Sequence, residues 1–243
     1  MRRILVFSLL MVFLVVASGA QSNGQATRKK AKVPVMEMEE EGPDCPETIA
    51  DCPIQGCGKG ADLKLNTAKN TIDVPSEANI QDMTLNKIRA LKQPGVWPTN
   101  KDRSSLQGAG KEGTPVRVKG FLQRAKKEGA ESCNCGVLGV ANTDIHLVLV
   151  NNPDDPESSS VTVEMTPRVR QQNNHANWTF GKVNDFDGDY VRVTGWLTLD
   201  TKHIAKPLVR ATNWEVHPVI KFEHCTKAKS TCDKPNSKGW EEF

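Results

Sequence analysis

Two triplets in this chain pair an acid with a histidine one residue apart, Asp144-Ile145-His146 and Glu215-Val216-His217. The first opens the apolar run Leu147-Val148-Leu149-Val150, and the second lies between Trp214 and Pro218-Val219-Ile220. Side chains alternate faces along a strand, so each acid shares a side with its histidine. A carboxylate beside an imidazole can move a proton or hold a divalent metal such as zinc. In the run Val161–Met165, Glu164 has the opposite parity to Val161, Val163 and Met165. Antiparallel pairing of consecutive strands would set Glu164 on the polar face of Asp144 and His146. Asp200 and His203 follow a further strand run, in a turn that could fold over its end. The candidate metal ligands are therefore Asp144, His146, Glu164, His203 and His217, with Glu215 the candidate general base. Their spacing matches no zinc signature, and neither H-E-x-x-H nor C-x-x-C occurs.

A second constellation is basic and aromatic. Thr166-Pro167-Arg168-Val169-Arg170 closes the third strand run with two arginines, which together with Arg117, Lys119, Arg192 and Arg210 could line one strip. Trp196 and Trp214 could offer stacking faces for bases or sugars, whereas Trp178 reads as core. The candidate ligand-binding residues are Arg168, Arg170, Arg192, Trp196 and Trp214. Cys133-Asn134-Cys135 is open to three readings: a redox pair, two metal thiolates beside His146, or partners of distant cysteines.

These residues need a scaffold. Strands are expected over Val116–Leu122, Asp144–Val150, Val161–Met165, Tyr190–Leu197 and Val209–Phe222, the last bent at Pro218. A helix is expected over Asn174–Val183, between the third and fourth strands. Three strands, a helix and two strands match the order of an OB-fold barrel, and Gly120 and Gly195 suit the bends that closure demands. An open antiparallel α+β sheet is the alternative. The fold class is mainly β with a minor helical component: a small five-stranded OB-fold-like barrel (113–224). It is preceded by a cysteine-containing irregular or helical arm (45–112), whose one patterned helix is near Asn79–Lys92.

The N-terminus reads as a signal peptide over 1–20, with Arg2 and Arg3 ahead of an apolar stretch and small residues before the cut. Residues 21–44 form a charged leader with too little apolar content to fold. Losing Arg2 and Arg3 takes the 32 Lys+Arg to 30 against 29 Asp+Glu, so whole-chain charge draws no polyanion, and binding would need a local patch. Seven cysteines in an exported chain imply disulfides with one thiol over. Cys225 and Cys232 flank a short polar loop at the head of a tail (225–243) and are the expected local pair.

Glu131-Ser132-Cys133-Asn134-Cys135, Asp144-Ile145-His146, Val163–Arg168, Val191–His203 and Arg210–Val219 together resemble an uncharacterised family of exported bacterial proteins. The resemblance covers roughly 113–224, with weaker likeness at Cys52–Asn70, and implies a secreted or periplasmic setting without an activity. The expected function is an exported binding module for a polymeric or anionic ligand: an oligosaccharide, a single-stranded nucleic acid or an envelope protein. A metal-dependent hydrolase on the His/carboxylate face is the competing expectation.

Overall fold

Alternating β-branched and polar residues close here into a barrel. The computed structural model describes residues 44–204 and 206–243; the expected signal peptide and residues 21–43 of the leader lie outside the described residues. The strands are β1 (Gln81–Thr84), β2 (Pro115–Lys127), β3 (Ile145–Val150), β4 (Val161–Met165), β5 (Tyr190–Leu199), β6 (Trp214–Cys225) and β7 (Trp240–Glu242). β2 pairs antiparallel with β3, β3 with β4, β6 with β5, and β5 returns to β2. Parallel pairing of β4 with β6 completes the ring at Val163 and Val216. This is an OB-like five-stranded barrel, to which β1 adds beside β2 and β7 beside β6. Val116, Val118, Leu122, Leu147, Leu149 and Val163 fill its interior, all fully buried.

Closure requires glycine at one tight point. A Cβ on Gly195 would stand 2.3 Å from the Pro218 carbonyl oxygen, and the β5–β6 register shifts there. That approach lets β5 bend against β6 beside the cis His217-Pro218 bond.

Two expected helices are cut short. The 79–92 pattern survives only in α2 (Leu85–Arg89), after a short α1 (Leu63–Lys69). Gln81–Thr84 is drawn into β1 because the edge of β2 offers it a ladder, with Gln81 opposite Val116. Thr84 then caps α2 by accepting from the Lys87 N–H. Thr166 caps α3 (Pro167–Gln172), which has proline in its first turn, and Thr179 caps α4 (Phe180–Asn184). The tail folds as well: α5 (Lys229–Cys232) leads to β7. Among the described residues, no helix is long and apolar enough to cross a membrane.

Cys225 and Cys232 are bonded, and Cys45 pairs with Cys57. Cys52 bonds Cys135, joining the arm to the loop ahead of β3 across 83 residues. Cys133 is free and buried.

Candidate functional site: a roofed acid–histidine cluster

The site is built on the outer face of β3, β4 and β6. His146 stands directly opposite Glu164 in the β3–β4 register. Ile145, Leu147, Val163, Met165 and Val216 point into the barrel, so parity sends His146, Glu164, Glu215 and His217 to the other face. That face is not open to solvent. Lys69 of α1 in the arm and the loop Glu131–Cys135 between β2 and β3 roof it together, and Asp144, Glu164, Glu215 and His217 are all 0% exposed. The Cys52–Cys135 bond and the Asn70 side-chain amide, which donates to the Cys133 carbonyl at 2.7 Å, hold the roof down.

Glu164 is the hub. One oxygen lies 2.7 Å from His146 Nε2, the other 2.9 Å from His217 Nδ1 and 3.9 Å from Lys69 Nζ. Glu215 lies 3.3 Å from His217 Nδ1, 3.5 Å from Lys69 Nζ and 3.0 Å from Arg210. Arg210 also reaches Asp200 at 2.8 Å, and Asp200 accepts from His203. Asp144 accepts from the Asn134 amide at 2.9 Å, while its other oxygen is 3.9 Å from His217 Nε2. The Glu164 contacts are close but off-line. Both its oxygens, both ring nitrogens of His217 and one oxygen of Asp144 lack an aligned hydrogen bond.

Charge sorts these groups. Burial would raise Glu164, but His146, Lys69 and His217 outweigh it and hold its carboxyl well below the ordinary range. Burial is the largest influence and lowers both imidazoles, yet the carboxylates together outweigh it: Glu164 with Glu215 lifts His217 to about 9, and Glu164 with Glu128 takes His146 well above its usual value. Asp144 is the exception, since burial and the nearby Glu131 push it to about 7. Burial and the same carboxylates push the Cys133 thiol well up, which makes it a poor nucleophile. Asp144, Glu164 and His217 each present one ligand atom within 4.8 Å of the others; Glu131, Cys133 and Asp144 form a second such set.

Of the sequence candidates, Asp144, His146, Glu164, Glu215 and His217 come together, whereas His203 stands at the rim, 40% exposed, beyond Asp200. Arg168 and Arg170 do not line a ligand strip. Helix α3 turns them inward, where Arg168 donates to the Cys52 carbonyl at 2.7 Å and Arg170 to that of Thr143. Trp214 is buried, its indole N–H donating to Lys92 O, and half-buried Trp196 donates to Asp73 O. Sequence reasoning missed Lys69, Glu131 and Asn134, which come from segments with no periodic signal.

Part of the basic strip does form, on another side of the barrel. Arg117 and Lys119 of β2, Arg192 of β5 and Lys221 of β6 line a groove of about 960 Å³. Lys229, Lys234 and Lys238 of the tail form its far wall, among the acids Glu77, Asp82 and Asp233. The Arg192 guanidinium sits 4.7 Å over the Trp240 ring, and Lys229 lies 4.7 Å over Tyr190.

No protein-family model matches the chain, and no curated protein matches it. Among solved structures, an asparaginyl-tRNA synthetase from Entamoeba histolytica is similar over 53% of this chain and 24% of its own, at 15% identity and TM-score 0.29. A Leishmania major Friedlin protein described as an aspartyl-tRNA synthetase is similar over 62% of this chain and 22% of its own, at 10% identity and TM-score 0.27. This chain thus spans less than a quarter of either protein, and likeness at that level carries no functional argument.

Proposed function

We propose that the chain is an exported binding module whose ligand is an anionic polymer held in the β2–β5–β6 groove. The observation that carries this reading is the convergence of seven cations, Arg117 to Lys238, on one groove of a chain with almost no excess charge. The β3–β4 face that OB-folds commonly use is occupied by the roofed cluster, while this groove is an accessible concave surface. Lys234 and Lys238 have no carboxylate within ion-pair distance among the described residues. Arg192 and Lys119 are aligned over Trp240, so little side-chain ordering remains to be done on binding. Three disulfides support the exported setting.

The test is fluorescence anisotropy of the disulfide-bonded protein with an oligo-dT strand, a heparin oligosaccharide and a neutral glucan. Polyanion binding should weaken steeply with salt, by a log–log slope of about 0.7 per phosphate contact for the single strand. Lys119→Glu combined with Lys238→Glu should weaken it by at least about tenfold. Binding of the neutral glucan as tightly as the polyanions, or an unchanged affinity in the double variant, would sink the reading.

A further inference from the structure

The geometry points to a buried divalent transition-metal site formed by Asp144, Glu164 and His217 beneath the arm, separate from the polyanion groove. Three facts converge on it. Each of the three side chains is 0% exposed and offers one ligand atom within 4.8 Å of the other two. An Asp144 oxygen, both Glu164 oxygens and both His217 nitrogens have no aligned hydrogen bond, nor do the adjoining His146 Nε2 and one Glu215 oxygen. A buried polar atom without a partner is costly, and here all three residues contribute at least one.

Neighbouring acids are treated differently. Arg210 lies 3.0 Å from Glu215 and 2.8 Å from Asp200, and Lys69 is 3.5 Å from Glu215. Asp144 has no Lys or Arg within 4 Å among the described residues, and its one aligned partner is a neutral amide. Of the four buried acids here, Asp144 is the one with no Lys or Arg beside it, since Glu164 has Lys69 at 3.9 Å.

One imidazole with two carboxylates suits a borderline ion such as zinc, because calcium and magnesium prefer all-oxygen shells. Asn134 on Asp144 and His146 on Glu164 supply the outer contacts that fix ligating carboxylates. A cavity of about 170 Å³ lies beside the cluster, lined in part by Lys69, Glu131 and Cys133.

The experiment is equilibrium dialysis of chelator-stripped, fully oxidised protein against zinc, read by elemental analysis, with X-ray absorption at the zinc edge. One zinc per chain is expected, in a nitrogen/oxygen shell containing imidazole. Tm should rise by about 5–10 °C when zinc exceeds its Kd a hundredfold. Asp144→Asn, which keeps the side-chain shape, should weaken zinc binding by at least about 30-fold, and His203→Ala at the rim by less than about threefold. Substoichiometric zinc, a sulfur ligand from Cys133, or full affinity in Asp144→Asn each overturns the assignment. The absorption spectrum of the unsubstituted protein decides the matter even if Asp144→Asn does not fold.

Discussion

His217 on β6 places its Nδ1 2.9 Å from the Glu164 carboxylate on β4, across the parallel seam that closes the barrel. The two acid-x-histidine triplets lie far apart in sequence, and this seam makes them one cluster. Barrel closure and assembly of the site are therefore the same event.

Lys69 is the test of how that cluster tolerates its charge. Lys69→Met should destabilise the protein by about 3–5 kcal/mol in denaturant unfolding, because Glu164 and Glu215 keep their burial and lose a cation. Adding Glu215→Gln should recover part of the loss; full additivity of the two changes would contradict the coupling.

The Cys52–Cys135 bond can be removed by a paired serine substitution. Its loss should cost about 2–5 kcal/mol by the same measurement. Hydrogen exchange should speed first in α1 and around 132–135, and Cys133 should become reactive toward a thiol reagent under native conditions. An unreactive Cys133 would show that the roof stays in place without its staple.

Arg170 is a structural residue in this arrangement. Arg170→Met leaves the Thr143 carbonyl without its donor and should cost about 1–3 kcal/mol. Oligo-dT affinity should stay within about twofold, and a larger drop would restore Arg170 to a ligand-binding role.

Glu223 links stability to the groove. Burial would raise its carboxyl, but Arg192 and Lys221 outweigh this and hold it below the ordinary range. A carboxyl lowered on folding adds stability that is complete above its unfolded value and lost as pH falls through its folded one. Tm of the parent should therefore drop between about pH 4.5 and more acidic values, and Glu223→Gln should flatten that limb. The same change frees Arg192 and leaves Lys221 paired only with Glu242, so polyanion affinity should rise while neutral-pH stability falls.

The barrel was legible because its strands are written in period two: Val161–Met165 and Tyr190–Leu197 read as strands and are strands. Parity also put His146 beside Glu164. It could not add His217, since that needs a non-sequential parallel pairing. Nor could it find Lys69, whose short helix carries no distinguishing period. Arg168 and Arg170 misled because a guanidinium written after a strand looks solvent-bound, and only the Thr166 cap and Pro167 turn them inward. Gln81–Thr84 shows the converse, a helical pattern overruled by an edge strand that needed a neighbour.

Part of the roof over the cluster, Lys69 and the Cys52 anchor, comes from the chain ahead of the barrel. Cut at residue 113, the remaining strands would keep their apolar interior and lose Lys69 together with Cys52. Glu164 and Glu215 would lose their shared lysine and be left with His146, His217 and Arg210 as partners. Arm and barrel are thus a single unit of inheritance: recombination that separated them would pass on a barrel without its buried chemistry.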